Sequence, residues 1–185
     1  MERETSRLIL REPGERDIDN IVENLNNPQV SRFLCGVPYP YTKKDALEDI
    51  ERISNEWKKS GEQNDYFFII ELKGKNKVIG GLGLCTIDNC SAREGTRTIS
   101  YHLGENYWGK GYGSEALGSL LNFSFDELGL RRVEASVVSS HEASIKLLRK
   151  HGFLLEGTRR EGFLCRANGK IHDECIYGLL KEEWK

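Results

Sequence analysis

The chain has 185 residues, 38% hydrophobic and 30% charged, a composition that suits one globular domain with enough apolar material for a proper core. Its net charge of −2 supplies no basic field, so direct nucleic-acid binding is not expected. No run approaches the roughly 18 apolar residues of a membrane span, and Met1-Glu2-Arg3-Glu4 lacks the character of a signal peptide, so the cytoplasm is the expected location.

Residues 7–11 read as an opening strand, and 15–26 as a helix with Ile18, Ile21, Val22 and Leu25 on one face. Pro28 is expected to break that helix, and residues 37–41, with two prolines, to form a loop. Thr42-Lys43-Lys44-Asp45 looks like the entrance to a helix that runs to about Lys59 and ends at Gly61. Aromatic and β-branched residues make 66–72 a strand; the turn at 74–76 leads to a second at 77–87, with a third near 96–103.

The period then changes. Leu117, Leu120, Leu121, Ser124, Phe125 and Leu128 recur at helical spacing before a stop at Gly129. Residues 131–138 alternate as a strand. Ser139 to Glu142 have capping-box spacing ahead of a short helix to about His151, with Arg149, Lys150 and His151 at its negative end and Gly152 behind it. Two last strands fall near 153–165 and 172–180. The sum is a single α+β domain over 1–185: a mostly antiparallel mixed sheet of about seven strands, flanking helices, and one right-handed strand–helix–strand crossover. The five cysteines (Cys35, Cys85, Cys90, Cys165, Cys175) are scattered, with no CxxC pair, and read as small buried hydrophobes; no metal site is expected.

Tyr107-Trp108-Gly109-Lys110-Gly111-Tyr112-Gly113-Ser114 lies between the third strand and the long helix. Alternate glycines let a ligand approach main-chain N–H groups, and the helix N-terminus adds unpaired donors and a positive dipole end. This is an anion cradle, suited to a phosphate or pyrophosphate. A P-loop would need Ser or Thr where Gly111 stands, for its metal ion. A dinucleotide fingerprint would need glycine where Ser114 stands, early in a βαβ unit. Both are weak.

A third reading covers almost the whole chain. Arg7-Leu8-Ile9-Leu10-Arg11 with Asp17, Asn27-Pro28-Gln29-Val30, Tyr39-Pro40-Tyr41-Thr42, Ile99-Ser100-Tyr101-His102-Leu103, the glycine loop, Glu115-Ala116-Leu117, Ala143-Ser144, Gly152-Phe153, Glu156-Gly157, His172-Asp173 and Glu183-Trp184 stand in an order that resembles the GCN5-related N-acetyltransferases. Within them it is similar to the RimJ/RimL-like branch that acetylates ribosomal-protein N-termini. The resemblance implies a splayed strand pair holding acetyl-CoA as co-substrate, and a primary amine as acceptor: a peptide N-terminus or a small molecule such as a polyamine, amino acid or antibiotic. It implies coenzyme contacts at Tyr101, His102, Leu103, Trp108, Gly109, Lys110, Gly111, Tyr112, Gly113, Ser114, His141 and Ser144, and a monomer or homodimer. Its pattern usually has Arg or Gln where Trp108 stands, Asn at His141, Tyr at Leu148 and an acid at Thr98. The last two departures motivate an alternative, a coenzyme-binding sensor without transfer.

For catalysis, the resemblance places Ser144 near the departing sulfur. An attacking amine must be neutral, so a base or water chain must take its proton. The candidates are Glu94, His102, Glu105, Glu161 and His172. Glu161, after the Glu156-Gly157 turn on the segment that approaches the acceptor in the RimL-like branch, is the preferred one.

Overall fold

The computed structural model describes residues 1–58, 65–87 and 93–185. The expected end of the long helix at Lys59 to Gly61, and Cys90, lie outside the described residues. Eight strands are described: β1 (Glu2–Glu4), β2 (Leu8–Arg11), β3 (Tyr66–Leu72), β4 (Lys77–Thr86), β5 (Thr96–Leu103), β6 (Arg132–Val138), β7 (Leu154–Leu164) and β8 (Ile171–Leu180). They form one sheet in the order β1-β2-β3-β4-β5-β6-β8-β7, antiparallel throughout except for β5 and β6. The expected seven strands thus become eight. The addition is β1, whose charged residues carry no apolar alternation and which forms by pairing with β2.

Helices α1 (Ile18–Leu25), α2 (Pro28–Ser31), α3 (Lys43–Lys58), α4 (Tyr112–Asn122) and α5 (Glu142–Lys150) flank the sheet. Residues 15–17 form a 3-10 turn ahead of α1. Pro28 starts α2 at its first turn, where its missing N–H costs nothing; Asn27 caps it by accepting from the Gln29 N–H at 2.8 Å. Thr42 and Asp45 exchange hydrogen bonds across the start of α3. The Ser139–Glu142 box does not form: His141 stands at the N-cap and makes no side-chain cap bond. Past α4, Phe123–Glu127 is π-helical, with Leu128 N–H bonding back to Phe123 O at 3.0 Å.

The main core joins alternate residues of the central strands (Phe68, Ile70, Leu82, Leu84, Ile99) to Ala116, Leu117, Leu120 and Leu121 of α4 and to Phe123 and Phe125. A second cluster binds Leu25 and Val30 to Tyr41 and Ala46 of α3. Between β1–β2 and the first turns, Arg11 bridges two buried carboxylates, Asp17 at 2.8 Å and Glu71 at 2.5 Å, so neither is left without a cationic partner.

What positions the site is the one parallel pair. The β5–β6 ladder runs from Thr96↔Arg132 to Ile99↔Ala135 and stops there, although β5 continues to Leu103 and β6 to Val138. The two strands splay, and α4 and α5 start at the open end.

Candidate active site

Gly104 N–H bonds Ile79 O on β4 at 2.9 Å. N–H directions alternate along a strand, so those of Tyr101 and Leu103 point the other way, into the splay. Trp108 reaches that side: its Nε1 donates to Leu103 O at 2.8 Å and anchors the loop beneath the gap. The residue stays 42% exposed.

The glycine loop follows. Gly109 and Gly111 hold φ of 71° and 81°, the left-handed region where a side chain is strained. Gly111 is the N-cap of α4 and no side chain caps this helix. The first return bond is Glu115 N–H to Gly111 O at 3.1 Å, so the N–H groups of Tyr112, Gly113 and Ser114 precede the ladder. They form the donor set that an anion needs. Lys110 turns its Nζ onto Asn106 O at 2.8 Å, which ties it to the loop itself. Ser114 Oγ shares a hydrogen bond with His151 Nε2 at 2.9 Å, a contact between the two helices that sequence reading of His151 as a dipole cation did not contain.

At the other side of the splay, Tyr101 Oη and Ser144 Oγ lie 2.7 Å apart. Ser144 is buried in the first turn of α5, and Leu148, one turn later, is fully enclosed. Burial pushes the Tyr101 hydroxyl up to about 12, against the opposing bond from Ser144. His141, beside them, stacks on Phe33 at 3.9 Å with the rings nearly parallel. Phe33 also packs on Val138, Phe163 and Cys165, so the segment after α2 meets the end of β6 and the β7–β8 hairpin. No local pattern in the sequence signalled that contact.

His102 points to the opposite face from Tyr101 and lies over Gly81, near enough to Asp49 of α3 for its charge to act. Asp49 also accepts from Tyr41 Oη at 2.7 Å. Burial pulls His102 down to about 4, with Asp49 opposing; burial and the nearby Arg32 pull His141 down to about 4 as well. Both are neutral near pH 7. Between about 6.5 and 4 the unfolded chain binds these two protons and the folded chain does not, so stability present above 6.5 is lost as pH falls through that window. Thermal unfolding from pH 7 to pH 4 should show a falling Tm, and a His102→Gln, His141→Gln variant should show a shallower fall.

The remaining candidates spread out. Glu105 accepts from Asn27 Nδ2 at 2.8 Å. Glu94 lends its carbonyl to Arg131. His172 pairs across the hairpin with Phe163. Glu156-Gly157 is a bulge inside β7 where a turn was expected, and Glu156 is ion-paired with Arg132. Glu161 is exposed on the edge strand at φ 53°, in a second irregularity between Arg159 and Phe163, with its N–H on Asp173 Oδ1 at 2.9 Å. Register sets Arg159 level with Glu174 and Val138, so Glu161 lies past the C-terminal end of β6 along the strand direction, on the edge strand with β8 between them. Cys35, Cys85, Cys165 and Cys175 are free thiols, and Cys35 is exposed where burial was expected. Among the described residues, no group of three or more His, Cys, Asp or Glu is arranged to hold a metal ion, and no helix is long and apolar enough to cross a membrane.

A mixed sheet that opens beside a helix-capped glycine loop defines a class, and the comparisons identify it. Residues 7–154 match the family model described as an acetyltransferase (GNAT) domain. Over 180 residues the chain is 33% identical to the uncharacterized N-acetyltransferase p20 of Bacillus licheniformis, covering 97% of this chain and 96% of that protein. The crystal structure of a GNAT-family acetyltransferase from Bacillus anthracis superposes with a TM-score of 0.83 at 22% identity, over 99% of this chain and 100% of that one. RimL, a ribosomal L7/L12 alpha-N-protein acetyltransferase in complex with coenzyme A, matches in fold with a TM-score of 0.79 at 19% identity, over 95% of each chain. The chain belongs to the GNAT acetyltransferases and is an acyltransferase.

Proposed function

We propose that this protein transfers the acetyl group of acetyl-CoA to a primary amine, and that the acceptor is a protein or peptide N-terminus. The observation that carries the reading is the end of the β5–β6 ladder at Ile99–Ala135, with unpaired helix N–H groups on one side of the gap and the Tyr101–Ser144 pair on the other. The donor set fits a pyrophosphate: it is main-chain, uncapped, and bordered by glycines, and a Cβ on Gly109 would find open space. The acceptor assignment is supported by the RimL-like order of motifs and by what RimL itself acts on.

In this reading, Gly111, Gly113 and Ser114 offer their N–H groups to the pyrophosphate, with Trp108, Gly109, Lys110 and Tyr112 shaping the cradle. Tyr101 and Leu103 present N–H groups along the splay, where one polarises the thioester carbonyl. His102 and His141 border the two faces of the bound chain. The amine nitrogen forms its bond to the carbonyl carbon as the carbon–sulfur bond breaks. Ser144 then donates its hydroxyl hydrogen bond to the leaving thiolate, and Tyr101 supports Ser144 from behind. Glu161, past the end of β6, takes the proton released by the amine through water, and the thiolate takes its own proton from solvent as it leaves.

Release of free coenzyme A thiol, measured with N-terminal peptides, polyamines, amino acids and amino-sugar antibiotics, tests the acceptor. Peptides should exceed small amines in kcat/KM by about tenfold or more, because a peptide main chain adds hydrogen-bonding groups beside the reacting nitrogen that a small amine lacks. Higher values for a small amine would reassign the acceptor; tight acetyl-CoA binding with no turnover on any amine would reduce the protein to a binding module.

A further inference from the structure

Arg7 lies just ahead of β2, far in sequence from the glycine loop, yet it is bonded to that loop's back. Its Nε donates to Glu115 Oε2 at 2.6 Å and its Nη1 to the main-chain oxygen of Lys110 at 3.0 Å, while the guanidinium lies 4.6 Å from the centre of the Tyr112 ring. Glu115, in the first turns of α4, is itself saturated. Its Oε1 accepts from Thr5 Oγ1 at 2.6 Å, Ser6 Oγ at 3.1 Å and the Arg7 N–H at 2.8 Å. Burial opposes the charge on Glu115, and these donors outweigh it, so its carboxyl is held below the usual range. The carboxylate therefore holds the arginine in one orientation.

That orientation matters because of what the arginine holds. The only cis peptide among the described residues is Tyr39-Pro40, so the Lys110–Gly111 peptide is trans. In a trans peptide the carbonyl and the N–H point in opposite directions. Arg7 draws the Lys110 oxygen toward the back of the loop, which turns the Gly111 N–H toward the front, beside the unpaired donors of α4. Glycine at 111, with φ of 81°, and at 109, with φ of 71°, leaves this peptide free to rotate. Rotated, it would offer an anion a carbonyl lone pair in place of a hydrogen.

We propose that Arg7, oriented by Glu115, is a positioning residue that locks the Lys110–Gly111 peptide with its N–H toward the coenzyme pyrophosphate. Coenzyme affinity is thereby set from the N-terminal segment of the chain. The proposal rests on the reading of the loop as the acetyl-CoA pyrophosphate site.

The test is calorimetric titration of the full chain with acetyl-CoA, with amide NMR of Gly111. Arg7→Ala should weaken binding roughly 10- to 100-fold, the range for one hydrogen bond to a charged group. Arg7→Lys, which keeps the charge beside Glu115 but replaces the rigid guanidinium fork with one rotatable ammonium, should weaken it nearly as much. In both variants the free protein's Gly111 amide signal should broaden or double as the peptide samples two orientations. Arg3→Ala, which removes the neighbouring 2.5 Å pair with Glu127, should leave affinity unchanged and serves as the control for generic damage to the N-terminal strands. Wild-type affinity in Arg7→Lys, with a single sharp Gly111 signal, overturns the lock, even if Arg7→Ala does not fold. Failure of the wild-type chain to bind acetyl-CoA overturns the coenzyme reading itself, which is a separate outcome.

Discussion

Gly113→Asp should abolish acetyl-CoA binding while leaving the fold at least as stable. A Cβ at Gly113 would meet Leu103 Cδ1 and Leu147 Cδ2, each at 3.5 Å, an ordinary contact, and no positive φ is involved. The new carboxylate would sit in the first turn of α4, where an acid favours the helix dipole by about 0.3–1 kcal/mol. The same position puts a negative charge against a pyrophosphate. At roughly 5 Å and an effective dielectric near 20, each like-charge pair costs about 3 kcal/mol, so a doubly charged pyrophosphate loses on the order of 10⁴ in affinity. Urea unfolding and calorimetry on the same sample separate the two effects. Retained micromolar binding would remove the pyrophosphate from this loop.

The second large effect is expected at the Tyr101–Ser144 pair. Ser144→Ala should lower kcat by about 100-fold, within the range for one hydrogen bond to a charged group, with a small change in the KM for acetyl-CoA. Tyr101→Phe should lower kcat by about 10- to 100-fold, because the serine loses the partner 2.7 Å away that orients and polarises it. The two act as a unit, so the double variant should be little worse than Ser144→Ala alone. The pH profile adds a sign. With the Tyr101 hydroxyl raised to about 12, it stays protonated through the working range. The wild-type kcat should therefore show no falling limb from this group between pH 7 and 10. Multiplicative single effects would indicate two independent roles; unchanged kinetics in Ser144→Ala would make the serine structural.

The strands β3, β4 and β5 fell within a residue or two of their expected places because alternation and glycine turns are local signals that the register then reinforces. β1 was not legible, since Glu2-Arg3-Glu4 gains strand character only from its partner. The π-helical segment was hidden for another reason. An apolar period that continues from Leu117 to Leu128 does not reveal one extra residue per turn at Phe123–Glu127. Ser139 to Glu142 had the spacing of a capping box, but the helix starts two residues later than that box requires, at Glu142 with His141 at the N-cap.

By itself the sequence determined the α+β class and the glycines at 109, 111 and 113 ahead of α4; the anion cradle and the place of Ser144 it offered as expectations. These depend on intrinsic φ preferences, periodicity and an order of motifs, all of which are written along the chain. Only the tertiary structure decided that β5 and β6 part after Ile99 and Ala135, that Tyr101 backs Ser144, and that Arg7 and Glu115 hold the loop from behind. Those contacts join residues 43 and 108 positions apart. No local propensity encodes such a distance; it exists only once the sheet has brought its strands together. The glycine loop leaves its backbone free to turn, and the folded chain around it fixes where that backbone is held.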